Sequence, residues 1–278
     1  MPKIRYTYLY ICIFILICIG LSISWSAKEG FTNYTLPRTI WSYWHDPNIP
    51  SSLRKILSER QAVLSTWEHR VLNEVTVYDY IAREEFPHKY NDLGHQHKAD
   101  WIRLYLLKRY GGCWMDASIL VNRSEEIEDM YTMSVKNQSE LTAYSTGTND
   151  YIENFFLMAP LESNIIRVWF DEFTEAVEIG FLAYKKKVFS KIDVSYLYGR
   201  DNDDVYLTQH ACLQYVLRTQ ISYTPNLYMK NVWESMYKYQ GECNHDNKCV
   251  VDKLKTTPKG LQPANIKLTR FNRTFFDT

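Results

Sequence analysis

An uncharged apolar run opens the chain and precedes a longer region of mixed polarity. Residues 6–25 (YTYLYICIFILICIGLSISW) carry no charge over 20 positions, which as a helix would span roughly 30 Å, the thickness of a bilayer core. Lys3 and Arg5 precede the run, and the charges after it cancel. The pattern predicts a cytosolic tail at residues 1–5 and a transmembrane signal anchor, in a single-pass type II membrane protein whose catalytic domain is lumenal in the Golgi or ER, or extracytoplasmic. A cleaved signal peptide is the alternative, although its apolar core is usually shorter.

A polar stem at residues 26–36 leads into segments that alternate between strand-like and helix-like patterns. Residues 38–44 (RTIWSYW) are β-branched and aromatic, as in a buried strand. Apolar positions at helical spacing predict a helix over 53–66, and a second strand and a short helix follow within 67–77 and 77–85. Strand followed by helix, twice over, predicts an α/β fold with a mostly parallel central sheet.

The most regular helical pattern covers residues 95–109 and stops at Gly111 and Gly112. A strand is predicted immediately afterwards, at 113–121 (CWMDASILV). The remaining predicted elements are strands at 141–144 and 155–159 and helices at 164–179 and 205–218. Because no repeat or low-complexity run divides these elements, residues 37–278 are predicted to form one catalytic domain.

The composition narrows the choice of partners more than the choice of function. The 32 Lys and Arg balance the 32 Asp and Glu, so no basic face and no nucleic-acid partner are predicted. The 8 Trp, 22 Tyr and 12 Phe suit either stacking on bases and sugars or a filled core.

Cys243 and Cys249 bracket a polar, turn-rich segment, which favours a small disulfide loop over a metal site with His245. Four Asn-x-Ser/Thr sequons fit a lumenal glycoprotein: Asn33, Asn122, Asn137 and Asn272.

A group of charged residues surrounds the predicted turn after the regular helix. Asp100 and Arg103 are three apart on a helix and therefore share a face, and Asp116 lies near the end of the following strand, where open α/β sheets place ligand-facing groups. A nucleotide-sugar diphosphate needs a divalent cation held by carboxylate, a donor fork for phosphate or sugar, and an aromatic surface for the base. Asp116 suits the first role and Arg103 the second. Stacking faces are offered by the first strand: Trp41, Tyr43 and Trp44. An ordinary surface ion pair and a Trp-rich core strand are the alternative interpretations.

The same stretch resembles a known family signature. The run AD-x-x-R-x-x-x-L-x-x-YGG-x-x-x-D at residues 99–116 resembles that of glycosyltransferases with a DXD sugar-binding motif, a group that includes yeast-type initiating α-mannosyltransferases and the glucosylating clostridial toxins. The closer likeness is to capsular polysaccharide synthesis proteins, in which the motif commonly reads YGGxWxDA followed by Ser or Thr. PRTIWSYWHD at 37–46 and IENFFLMAP at 152–160 resemble that family's first strand and mid-domain strand. The likeness extends to about residue 218, and the last 60 residues carry no recognised motif.

The resemblance implies a GT-A-like fold and an enzyme of hexosyltransferase type, with a nucleotide-sugar donor, a glycan or glycoconjugate acceptor, a Mn²⁺ or Mg²⁺ ion and retention of anomeric configuration. It would place Trp44 on the base, Asp100 and Arg103 on the donor's sugar, and Asp116 on ribose and metal. The chain departs from the DXD pattern at Ser118, where a hydroxyl, a weaker ligand for a hard cation, replaces the second carboxylate.

Two alternatives stay open from the sequence. His210 is predicted as a further metal ligand, with a satisfied, partly buried histidine as the alternative. The predicted function is a glycosyltransferase that builds a surface or secreted glycan by positioning and charge stabilisation. A membrane-tethered protein that binds carbohydrate or nucleotide without turnover is the second hypothesis, because Ser118 weakens the metal site. A metal-dependent phosphodiesterase ranks last, since it would need more clustered His and Asp ligands.

Overall fold

The computed structural model describes residues 33–147, 151–198 and 205–276. Contacts divide the chain into the units Met1–Tyr34 and Thr35–Thr278, and the elements below all belong to the second. The predicted tail and transmembrane anchor, residues 1–25, lie outside the described ranges. Within those ranges no helix is long and apolar enough to cross a bilayer. The described residues therefore give no support to the predicted location as a single-pass type II membrane protein, and that prediction is corrected accordingly.

A six-stranded sheet forms the centre of the described chain. The strands are β1 (Thr39–Tyr43), β2 (Glu68–Leu72), β3 (Gly112–Met115), β4 (Ile119–Val121), β5 (Leu141–Ser145), β6 (Ile152–Ala159), β7 (Leu227–Asn231) and β8 (Asn265–Lys267). The sheet has the order β2-β1-β3-β6-β5-β7, and β4 and β8 form a separate antiparallel pair. Only β6 is antiparallel to its neighbours in the sheet, so five strands share one direction. The predicted α/β class with a mostly parallel central sheet is therefore confirmed.

Helices occur between most of these strands. They are α1 (Ser51–Val63), α2 (His95–Tyr110), α3 (Glu125–Asn137), α4 (Asn164–Ile179), α5 (Phe181–Phe189), α6 (Thr208–Tyr215), α7 (Lys238–Glu242) and α8 (Asn247–Thr256). The short helix predicted at 77–85 is instead two single turns of 3₁₀ helix, at Thr76–Asp79 and Arg83–Glu85. A disulfide between Cys243 and Cys249 joins the end of α7 to α8, as predicted.

Two glycines let α2 turn directly into β3. Gly111 and Gly112 have φ angles of 62° and 97°, a region that side chains of L-residues rarely enter. A Cβ atom at Gly112 would lie 2.7 Å from the carbonyl oxygen of Thr39 on β1. The close approach of the two strands therefore requires glycine, and the predicted end of the helix is confirmed.

The single strand predicted at 113–121 is two strands, because the chain turns between β3 and β4. The amide of Ile119 donates to the carbonyl of Asp116 at 3.1 Å, which closes this turn. β4 then leaves the central sheet and pairs with β8, with Ile119 opposite Lys267. Asp116 and Ser118 consequently lie in a turn at the carboxyl end of β3.

A main hydrophobic core and a second cluster near the C-terminus are among the buried apolar regions of the described chain. The main core includes Trp101 of α2, Trp114 of β3 and Trp169 of α4, all fully buried. The second core joins α1, β4, β8 and α8, with Leu53 and Leu120 among its members. The last 60 residues, which carry no recognised motif, are thus an integral part of the folded unit.

Candidate active site

The polar residues of the candidate site lie where the parallel strands end. Asp116 follows β3 directly, and Trp44 follows the neighbouring parallel strand β1. Because β6 runs in the opposite direction, its first residues, including Glu153 and Asn154, come to the same edge. Open α/β sheets bind ligands at this edge, outside the carboxyl ends of the strands. The reversed strand therefore adds two polar side chains to the edge at which Asp116 lies.

Asp100 and Arg103 share a face of α2, as predicted, and form a buried pair. Arg103 Nη1 donates to Asp100 Oδ1 and to Gln209 Oε1 of α6, both at 2.7 Å. Asn154 Nδ2 donates to the same two acceptors, at 3.2 and 2.7 Å. The two charged side chains are only 10% and 4% exposed, so the alternative of an ordinary surface ion pair is wrong. Removing one partner of such a pair leaves a buried charge uncompensated, which is costly.

Arg103 also contacts Asp116, the third predicted catalytic residue. Its Nη2 donates to Asp116 Oδ1 at 3.1 Å. The guanidinium carbon lies 4.9 Å from the ring centroid of Trp114, and the indole Nε1 of Trp114 donates to the same carboxylate oxygen at 2.9 Å. The structure therefore brings Asp100, Arg103 and Asp116 together in one continuous set of hydrogen bonds.

Lys267, which no sequence motif marks, completes this set from the C-terminal region. Its ammonium donates to Asp116 Oδ2 and, at 2.9 Å, to Ser118 Oγ. Lys267 lies 151 positions after Asp116 in the chain, at the end of β8, and the pairing of β8 with β4 places it here. Because that pairing is long-range, the local pattern around Lys267 gives no sign of its position.

The surroundings of Asp116 keep it ionised. Burial opposes its charge, but the Lys267 ammonium and the Arg103 guanidinium outweigh that effect and hold the pKa of this carboxyl below its ordinary value. The main chain is fixed as well: Arg60, fully buried on α1, donates to the carbonyl of Asp116 at 3.1 Å and to Ser42 Oγ at 2.7 Å. The carboxylate is thus both charged and firmly positioned.

Glu153 is a second buried carboxyl group at the same edge of the sheet. Its residue is 5% exposed, and the hydroxyl of Tyr237 donates to its Oε2 at 3.4 Å. Burial raises the pKa of Glu153 to about 7, against the opposing effects of Lys267 and Tyr237 and with a further rise from Asp116. The sequence contained no signal for this difference, which arises because Asp116 is paired directly with Arg103 and Lys267 whereas burial dominates at Glu153.

The three aromatic residues predicted to stack on the donor have different environments. Trp41 and Tyr43 are two apart on β1 and therefore share a face, where they are 4% and 6% exposed within the main core. The Nε1 of Trp41 donates to the carbonyl of Gly111 at 2.9 Å. Trp44 lies beyond the end of the strand and is half-buried, with the Arg273 guanidinium 5.2 Å from its ring centroid. The predicted stacking role therefore fits Trp44 but neither Trp41 nor Tyr43.

The predicted divalent-metal site does not fit the donor atoms that surround Asp116. Its Oδ1 accepts from Arg103 and Trp114, and its Oδ2 accepts from Lys267. Ser118 Oγ, in the position of the second DXD carboxylate, accepts from the same ammonium. A hard cation takes carboxylate oxygens that are free to coordinate it, whereas both oxygens here already face positive or donor groups.

His210, the other predicted metal ligand, does not complete such a site. Its ring packs against Tyr151 with centroids 5.1 Å apart, and neither ring nitrogen has a hydrogen-bond partner among the described residues. Burial lowers the pKa of His210 to about 4, so the imidazole is neutral at physiological pH. Nowhere in the described ranges do three or more His, Cys, Asp or Glu side chains gather in a way that could hold a metal ion.

A buried charged cluster at the carboxyl edge of a mostly parallel sheet is the arrangement of an α/β ligand-binding domain. The sequence profile of the family described as capsular polysaccharide synthesis protein matches residues 22–246. The chain therefore belongs to the capsular polysaccharide synthesis protein family, and the resemblance predicted from its motif is confirmed.

Known relatives of the chain are named as glycosyltransferases. O-glycosyltransferase PaGT of Phomopsis amygdali is 28% identical over 148 residues, which cover 48% of this chain and 34% of that protein. O-glycosyltransferase braB of Annulohypoxylon truncatum is 26% identical over 160 residues, covering 50% and 37%. The chain thus spans only a third or slightly more of the length of these relatives. The solved PaToxG glycosyltransferase is similar with a TM-score of 0.43 and 12% identity, over 96% of this chain and 94% of that one, a likeness too weak to carry an argument. The predicted enzyme class, a glycosyltransferase, agrees with the family and with the names of these relatives.

Proposed function

We propose that this chain is a glycosyltransferase with a GT-A-like fold, which transfers a sugar from a nucleotide-sugar donor to a hydroxyl group of a glycan or glycoconjugate acceptor. The observation that carries the proposal is the hydrogen-bonded set of Asp100, Arg103 and Asp116 at the carboxyl edge of the sheet. Family membership and the names of the relatives support the same class of reaction.

Each residue of the set has a role that its geometry favours. Asp100 and Arg103 are fixed by the amides of Gln209 and Asn154, so their polar groups are positioned before a donor's sugar arrives. Asp116 is held ionised and suits hydroxyl groups of the ribose. Since preorganised groups need no rearrangement during the reaction, this rigidity favours catalysis as well as binding.

In the proposed reaction the bond between the anomeric carbon and the diphosphate oxygen breaks, and a bond from the acceptor hydroxyl oxygen to that carbon forms. The diphosphate leaves with the electron pair of the broken bond, and the hydroxyl proton passes to the departing diphosphate. Attack on the face that the diphosphate leaves would retain the anomeric configuration. Retention stays a prediction of the family resemblance, and the anomeric coupling constant of the product in a proton NMR spectrum would decide it.

The test is release of nucleotide by the purified full-length chain from a panel of UDP- and GDP-sugars, with simple glycans as acceptors. We expect release from one donor, and loss of that activity in Asp116→Asn. Asp129→Asn is the matched control, because Asp129 is exposed on α3. An active Asp116→Asn variant would overturn the assigned site.

The second candidate function is binding of carbohydrate or nucleotide without turnover. It is favoured by the engagement of both Asp116 carboxylate oxygens by other side chains. Calorimetric binding of a nucleotide-sugar, combined with no release across the whole panel, would establish binding alone and overturn the transferase proposal.

A further inference from the structure

Lys267 contacts Ser118, the residue at which the chain departs from the DXD pattern. One ammonium group contacts both Asp116 and Ser118, the two positions at which that pattern places its carboxylates. The lysine side chain is 18% exposed, so it is partly buried yet accessible. Two of its three donor hydrogens serve these contacts, and one remains for an oxygen of an arriving ligand.

The group formed by Asp116, Ser118 and Lys267 has the same net charge as a DXD motif with its bound divalent cation. Two carboxylates with one divalent cation carry no net charge. Asp116, the neutral Ser118 and the Lys267 ammonium also carry none. The missing carboxylate and the added lysine therefore compensate each other, which an isolated loss of a metal ligand would not do.

The main chain holds Lys267 in this position from two sides. Its amide donates to the carbonyl of Met236 at 3.0 Å, and the amide of the next residue, Leu268, donates to the carbonyl of Ser118 at 3.0 Å. The β4–β8 pairing adds Ile119 opposite Lys267. A cation fixed in this way is preorganised for charge that develops on a ligand.

A divalent ion at Asp116 would have to displace these groups. Lys267 and Arg103 both donate to the carboxylate. Lys267 would lose its counterion and Arg103 would keep only Asp100, and both would face two further positive charges. Charges that are partly or wholly removed from water tolerate such an arrangement poorly.

We propose that the ammonium of Lys267 takes the place of the divalent cation and stabilises the negative charge of the donor's diphosphate, so that the reaction needs no divalent metal. The proposal rests on the proposed glycosyltransferase function, and it adds the manner in which the leaving group is stabilised. Lys267 would donate its remaining hydrogen to a diphosphate oxygen, while Asp116 and Ser118 hold the ammonium in place.

The first test compares nucleotide release from the donor identified above in EDTA and in Mn²⁺. We expect rates that agree within about 2-fold for the full-length chain. Lys267→Met should lower kcat/KM by about 100-fold or more, the effect of losing one preorganised charge-stabilising donor, whereas Lys267→Arg should retain more activity. Lys255→Met is the matched control, because Lys255 is exposed on α8. Loss of activity in EDTA with recovery in Mn²⁺, or equal losses in the Met and Arg variants, would overturn the proposal.

A second measurement does not depend on turnover. Mn²⁺ alone is titrated into the full-length chain and its Asp116→Asn variant, and free Mn²⁺ is followed by electron paramagnetic resonance. We expect the two titrations to coincide. Binding to the wild-type chain that Asp116→Asn removes would contradict the proposal. If no donor is turned over with or without metal, the glycosyltransferase function fails, and the Mn²⁺ titration still decides whether Asp116 belongs to a metal site.

Discussion

The buried carboxyl of Glu153 predicts how the pH dependence of folding stability changes when this residue is replaced by Gln. Glu153 is 5% exposed, and burial raises its pKa from the ordinary 4.5 to about 7. The folded protein therefore holds this proton more tightly than the unfolded chain does. Its stabilising contribution is fully present below about pH 4.5 and is lost as the pH rises through about 7.

The magnitude follows from the difference between the two pKa values. A gap of about 2.5 pH units, at about 1.4 kcal/mol for each, corresponds to roughly 3 kcal/mol, and about 2.5 kcal/mol of that falls between pH 5 and pH 8. His210 acts in the opposite direction: burial lowers its pKa from 6.5 to about 4, so its contribution grows as the pH rises through this interval. The wild-type profile alone would therefore hide the effect, and the difference between wild type and Glu153→Gln isolates it.

The assay is urea unfolding, followed by tryptophan fluorescence, at several pH values from 5 to 8. Relative to wild type, Glu153→Gln should gain about 2.5 kcal/mol in its free energy of unfolding across this range, because Gln cannot ionise. Glu125→Gln, the same change at an exposed position on α3, should run parallel to wild type. A constant offset between wild type and Glu153→Gln at every pH would refute the raised pKa, whatever the size of that offset.

Two further perturbations test the site and the C-terminal region. Arg103→Lys keeps the charge but loses the planar fork that contacts three residues at once, so its rate of nucleotide release should fall by about 10-fold or more. The control Arg109→Lys, at an exposed position, should release nucleotide at the wild-type rate. If Arg103→Lys also matched the wild-type rate, the planar fork would not be needed. Reduction of the Cys243–Cys249 disulfide with dithiothreitol should lower the free energy of unfolding by about 2 kcal/mol, since the bridge closes a short loop, and a urea midpoint that does not change on reduction would contradict this.

Local patterns predicted the elements whose determinants are close together in the chain. The helix predicted at 95–109 corresponds to α2, which ends one residue later at Tyr110. The helix predicted at 164–179 coincides with α4. Apolar positions at helical spacing, followed by glycine, specify such elements without reference to the rest of the fold. The disulfide was predictable for the same reason, because its two cysteines are only six positions apart.

The orientation of side chains on a strand and the pairing of distant strands could not be predicted from local patterns. The first strand was rightly expected to be aromatic and buried, but which rings face the core depends on the layer that packs against each side of the sheet. Trp41 and Tyr43 share the face that packs in the main core, whereas Trp44 lies one residue past the end of β1.

By itself, the sequence determined the α/β class, through its alternating strand and helix patterns, and the family. It also brought forward Asp100, Arg103 and Asp116 as predicted catalytic residues, because these three lie in one contiguous helix–turn–strand motif. Only the tertiary structure decided what surrounds Asp116. Lys267 reaches it through the pairing of β4 with β8, across 151 positions of chain. Strand pairing depends on which surfaces meet when the chain is compact, and the residues beside either strand do not encode its distant partner.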